Sequence, residues 1–253
     1  MATLVLNRPS RRNTLEPAVL DGLVRHTSTL LEQGDVRAVV VTGAGRDFCL
    51  GGSLDDLDRS VAGDPSDATA EYTRLTDALA TVVLNLTALP CPVIAAVNGQ
   101  AAGAGFSLAL ACDLRIAGRS TRLNFAYGAL GAATDGGMTW QLPRIVGQAR
   151  SLELLFEQPV IRAPQALAEG LVTAVVPDAD VLDRARQRAL RLAEGPPNAL
   201  ASAKRLVRSG WTESLTTHLQ HEHAAFLAAL HSGDVARGLA ARRNGDVPCF
   251  DGA

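Results

Sequence analysis

Short apolar runs recur along the chain, each four or five residues long and closed by Gly, Asn, Pro or Arg. They fall at 2–6, 38–42 (AVVVT), 93–97 (VIAAV), 114–117 and 172–176 (VTAVV). Runs this short and this rich in Val and Ile predict buried strands. Between the second and third runs the period changes. Tyr72, Leu75, Leu79, Val82, Val83 and Leu86 recur at three- and four-residue steps, predicting an amphipathic helix that ends at Leu89 before Pro90. The stretch 16–31 carries the same pattern. Alternation of strands with helices predicts an α/β core with parallel pairing. After Pro177 only helical periods remain, over 181–193, 199–207 and 215–230. We therefore divide the chain into an α/β core, residues 1–195, and a C-terminal helical region, residues 196–253. The span 63–68 (GDPSDA) reads as a turn-rich, mobile loop.

Composition narrows the classes. The chain has 253 residues, 47% hydrophobic and 20% charged, enough for one large core and too apolar for disorder. Net charge is −2 with no block of five or more like charges, which argues against nucleic acid and against an anionic membrane surface. Apolar stretches are broken well short of the roughly 18 residues a membrane span requires. The N-terminus lacks the charge-then-apolar order of a signal peptide, so a cytoplasmic location is expected. Four cysteines (Cys49, Cys91, Cys112, Cys249) form no CxxC pair and are expected to be reduced and mostly core. Lys204 is the only lysine, a compositional habit rather than a functional signal.

Two glycine-rich segments follow strands, and both invite a test for chemistry. Residues 43–48 supply two glycines of a dinucleotide fingerprint but place Phe48 at the third position, and no Gly-Lys-Ser/Thr exists for a phosphate loop. Gly103-Ala104-Gly105 opens a helix-forming run. Small residues at a helix start leave backbone N–H groups free, and the helix dipole favours negative charge there, so this is a candidate oxyanion hole. Tight packing against a strand explains the same residues equally well. Ser107 half resembles a hydrolase nucleophile but stands too far from its strand for that turn. His218, His221 and Glu222 share a helix face, which metal ligands could use but which a solvated face or subunit contact also produces. Asp135, in Gly131-Ala132-Ala133-Thr134-Asp135-Gly136-Gly137, is the carboxylate that stands out. An acid among small uncharged neighbours can be buried with a raised pKa, as a general base requires; a helix-capping or turn role is the alternative.

In sequence order, Leu6-Asn7-Arg8-Pro9, the segment 46–54, Pro92 through Gly105, Leu142-Pro143-Arg144-Ile145-Val146-Gly147, 166–177 and Arg242-Arg243 resemble the enoyl-CoA hydratase/isomerase (crotonase) superfamily. The likeness runs along essentially the whole chain. It implies a crotonase-like ββα superhelix core with a C-terminal helical region, assembled as homotrimers or hexamers. It also implies an acyl thioester of coenzyme A as substrate, with coenzyme A entering as part of that substrate and no separate cofactor or metal. By position the oxyanion donors are the backbone amides of Gly52 and Ala104. Arg8, Leu50 and Arg243 are the expected contacts of the coenzyme A moiety. Where family hydratases carry two glutamates, this chain has Ser107 and Tyr127, expected to line the acyl pocket. Asp135 falls where isomerising members and an aryl-CoA dehalogenase keep an acting aspartate. One carboxylate suffices for a 1,3-proton shift. The expectation is therefore an enoyl-CoA or dienoyl-CoA isomerase. Hydration, dehalogenation or decarboxylation of an acyl-CoA, and a non-catalytic thioester-binding subunit, stand as alternatives.

Overall fold

All five β-branched runs become strands of one parallel sheet. The computed structural model describes residues 1–253. Its strands are β1 (Ala2–Leu6), β2 (Val39–Gly43), β3 (Val93–Val97), β4 (Gln100–Ala102), β5 (Leu114–Gly118), β6 (Arg122–Asn124), β7 (Ile161–Arg162) and β8 (Ala174–Val176). The large sheet has the order β1-β2-β3-β5-β8, parallel throughout. The helices are α1 (Pro17–Gln33), α2 (Leu54–Ala62), α3 (Pro65–Ala88), α4 (Ala104–Ala111), α5 (Met138–Val146) and α6 (Gln148–Glu157), followed by α7 (Ala163–Ala168), α8 (Val181–Ala193), α9 (Pro197–Ser209), α10 (Leu215–Leu230) and α11 (Gly233–Asn244).

Successive strand residues point to opposite faces, so each buried run feeds two cores. Val39, Val41, Val93, Ala95 and Val97 join the main core with α1, α3 and α4. Val40, Ile94, Ala96 and Ile116 face the other way and meet Val181, Ala185 and Ala189 of α8. Coverage of both faces is why these strands are continuously apolar rather than alternating.

After β2, β3 and β5 the chain steps from the large sheet into a second layer. β3 passes through Asn98 and Gly99 into β4, and β5 continues into β6, which pairs parallel with β4 and antiparallel with β7. The segment after β2 reaches the same layer through one bridge, Cys49 to Ala101. A helix follows, α4 after β4, giving the strand–strand–helix unit of the ββα core. The strands of this second layer were not predicted. At two or three residues each they are too short to show a period, and Cys49, β4 and β6 are defined by their neighbours.

One local expectation is corrected. Residues 63–68 are not a loose loop but a tight junction between α2 and α3. Asp64 caps α3 by accepting from the Ser66 amide at 2.8 Å, and Pro65 occupies the first turn, where its missing N–H costs nothing. No helix is long and apolar enough to cross a membrane.

Candidate active site

The site forms where the loop after β2 meets the start of α4. Cys49 accepts a hydrogen bond from the Ala102 amide at 2.9 Å, laying 49–52 alongside β4. Gly51 has φ +77°, a conformation that strongly favours glycine, and a Cβ there would lie 2.8 Å from the Ala102 carbonyl and 3.0 Å from the Ala104 nitrogen. The turn therefore closes directly over the first amide of α4. Gly52, next in sequence, is exposed, and a Cβ on it would meet nothing within 4 Å. Its amide donates to no group in the chain. Ala104 is the first residue of α4, so its amide has no intrahelical acceptor. Gly105 shows the packing alternative operating one residue on, since a Cβ there would sit 2.3 Å from the Cys49 carbonyl. Both readings of 103–105 hold, each for a different residue.

Asp135 lies in the turn before α5 and does not cap it; the cap position is Gly137, without a side-chain bond. Instead the Tyr127 hydroxyl donates to Asp135 Oδ1 at 2.5 Å. Ser107, on α4 and fully buried, donates to the Asp135 carbonyl at 2.9 Å, with its Oγ 3.3 Å from the Tyr127 hydroxyl. Tyr127 packs beside Gly103, its Cζ 3.8 Å from where a Cβ there would stand, at the cap of the same helix start. Burial pushes the Asp135 carboxyl above its ordinary value, and the Tyr127 hydrogen bond only partly opposes this. Burial likewise raises the Tyr127 phenol, and the neighbouring Asp135 charge adds to it. A half-buried carboxylate of raised basicity, beside unpaired backbone donors, is suited to taking a proton from carbon next to an oxygen that becomes an anion.

The remaining candidates lie in differing surroundings. Leu50 is partly exposed in the turn preceding Gly51. Arg8 pairs with Glu16 at 3.0 Å and is half exposed. Arg243 is exposed on α11. Ser53 caps α2 by accepting from the Asp56 amide at 3.2 Å. Cys49 adjoins the site, but burial pushes its thiol up to about 12, so it is no thiolate nucleophile. Cys91 and Cys112 are buried and Cys249 is exposed, all unpaired. His218 and His221 turn to Glu213 at 3.4 and 3.0 Å, and no group of three or more ligating side chains could hold a metal ion. A cavity of about 1150 Å³ opens between α3, α5, α9 and α10, and Gly136 and Gly137 bring its rim beside Asp135. Gly51 and the Tyr127–Asp135 bond are the features the sequence reading missed. A Gly-Gly pair marked the first, whereas nothing local marks the second.

An α/β fold of ββα units, with free backbone amides at a buried helix start and one half-buried carboxylate tied to that helix through Ser107, has the groups to hold an oxyanion and to move a proton. The family model described as enoyl-CoA hydratase/isomerase matches residues 1–246, and the chain belongs to this family, which acts on acyl-CoA substrates. The 1,2-epoxyphenylacetyl-CoA isomerase of Escherichia coli K12 is 37% identical over 250 residues, 99% of this chain and 94% of its own length. The 2,3-dehydroadipyl-CoA hydratase of the same organism is 33% identical over 250 residues, 98% of this chain and 94% of its own. Among solved structures, an enoyl-CoA hydratase from Bacillus anthracis superimposes with a TM-score of 0.92 at 32% identity, covering 99% of this chain and 95% of that one. The fold is the crotonase fold.

Proposed function

We propose that the protein is an acyl-CoA isomerase. The amides of Gly52 and Ala104 hold the thioester oxygen, and Asp135 moves one proton between two carbons of the acyl group. The observation that carries this reading is the single carboxylate of the site: Asp135 stands with Tyr127 and Ser107, and neither of these can act as a second acid or base near neutral pH. Addition of water by a pair of glutamates has no counterpart here. A 1,3-shift needs one group only, which accepts the proton at one carbon and returns it at another. Each oriented backbone donor is worth about 2.7–4 kcal/mol at the developing oxyanion. Leu50, Arg8 and Arg243 are the proposed contacts of the coenzyme A moiety, and the cavity beside Gly136 and Gly137 is the space offered to the acyl group.

The test is incubation with 2-enoyl-, 3-enoyl- and dienoyl-CoA thioesters in D₂O, with products read by mass. Double-bond migration or deuterium exchange, abolished in Asp135→Asn, is the expected result. A gain of 18 daltons assigns a hydratase instead. Binding without any conversion by the wild type assigns a thioester-binding subunit.

A further inference from the structure

Two features converge on the Tyr127 hydroxyl. It donates to Asp135 Oδ1 at 2.5 Å, while Ser107, reaching the Asp135 backbone at 2.9 Å, stands 3.3 Å behind it. The backbone that presents it is also strained. The Tyr127 amide donates to the Phe125 carbonyl at 2.9 Å across Ala126, whose φ is +64°, a positive-φ γ-turn on a residue that carries a Cβ. The Ala126 amide is held by Asn124 Oδ1 at 3.0 Å, and the Asn124 carbonyl accepts from the Gly103 amide, so the turn is anchored to the start of α4. Strain of this kind persists only where surrounding structure enforces it. Its effect here is to aim the phenol at one oxygen of one carboxylate.

We propose that Tyr127 is a positioning residue: its hydroxyl holds Oδ1 of Asp135, so that Oδ2 alone takes the proton from the bound thioester and returns it. The proposal rests on the isomerase reading above. In the forward step a C–H bond breaks, its proton goes to Oδ2, and its electron pair delocalises to the thioester oxygen. In the return step Oδ2 delivers the proton to the other carbon and the enolate collapses. No cofactor or further acid is required. Beside burial, Tyr127 is the titratable side chain that acts on Asp135, and Asp135 and Ser107 are the side chains that act most strongly on Tyr127. A donated hydrogen bond favours the carboxylate form, so its removal makes Asp135 harder to ionise.

Tyr127→Phe keeps the ring beside Gly103 and deletes only the hydroxyl. The acid limb of its kcat/KM profile for isomerisation is expected to move to higher pH, with a loss of about tenfold or more below that limb. Affinity for a saturated acyl-CoA that cannot turn over stays within about twofold, because the oxyanion donors are untouched. An unmoved limb overturns the proposal. A second measurement needs no turnover: carbon-13 NMR titration of labelled aspartate carboxyls, with the Asp135 signal assigned by its absence in Asp135→Asn. That signal should titrate at higher pH in Tyr127→Phe than in the wild type, and coincident titrations refute the hold on Oδ1 directly. Displaced titrations together with an Asp135→Asn enzyme that isomerises normally overturn the proton-transfer role of Asp135, whereas displaced titrations in a wild type that isomerises no thioester overturn the isomerase reading and leave the hold on Oδ1 standing.

Discussion

At the scale of single residues, Asp135 has a cost that can be measured. Burial raises its pKa in the folded protein, so the native state binds the proton more tightly than the unfolded chain does. Stability from this group is therefore greatest below the unfolded pKa and declines as pH rises through the folded one, the reverse of a salt-bridged aspartate. Asp135→Asn removes the ionisable group while its Oδ1 can still accept from Tyr127. Thermal unfolding is expected to show the variant more stable than the wild type at neutral pH, with the gain vanishing in acid below the aspartate range. A variant of equal or lower stability at neutral pH would mean that the carboxylate is fully compensated where it stands. The exchange of stability for activity at one side chain is a common property of catalytic groups. Asp135 was legible in the sequence because its neighbours are small and uncharged. Its partners were not, since Ser107 and Tyr127 stand 28 and 8 residues away and meet it only through the fold.

Elements were legible in proportion to their length and period. The runs at 2–6, 93–97 and 181–193 coincide with β1, β3 and α8 because burial of one face or both writes itself into five or more residues, and α10 follows its run at 215–230 although it buries no residue within the chain. β4, β6 and β7 have no such record, and α3 begins earlier than its apolar stripe because Asp64 and Pro65 start it in solvent. The docking of α9 was also invisible, although its agent was in plain view. Lys204, the lone lysine, is nearly buried and donates to the Leu86 and Cys91 carbonyls at 3.0 and 3.1 Å while pairing with Asp113 at 2.9 Å. Arg208, one turn on, donates to the Ala111 carbonyl and to Asp113. Two cations of one helix thus satisfy the carbonyl ends of α3 and α4, where the helix dipoles favour positive charge. Lys204→Met keeps the stem and removes the donors, leaving those carbonyls unpaired. A loss of about 1–3 kcal/mol is expected, read as a lower urea midpoint at unchanged slope. An unchanged midpoint would show that Arg208 alone holds the helix.

Viewed as a whole molecule, the chain leaves its C-terminal helices unfinished. Neither α9 nor α10 contains a buried residue, yet Val207, Leu215, Leu219, Phe226 and Leu230 are exposed, Phe226 by 64% and Leu215 by 72%. Trp211 between them is 61% exposed. A helix that is apolar over much of its circumference requires cover on more than one side, and α10 packs mainly against α9 and α11. Contiguous apolar surface of this extent marks an interface in a folded protein. A second copy of the chain is the occupant we expect, in line with the trimers and hexamers that the family resemblance implies. Sedimentation equilibrium should then give three or six times the 26.5 kDa of one chain. Replacing Leu219 and Phe226 by Arg and Asp should reduce that to the single-chain mass while leaving the far-ultraviolet circular dichroism unchanged, since neither side chain is buried within the chain. A wild-type protein that sediments as one chain would leave the apolar face of α10 to a different partner and detach the assembly from this surface.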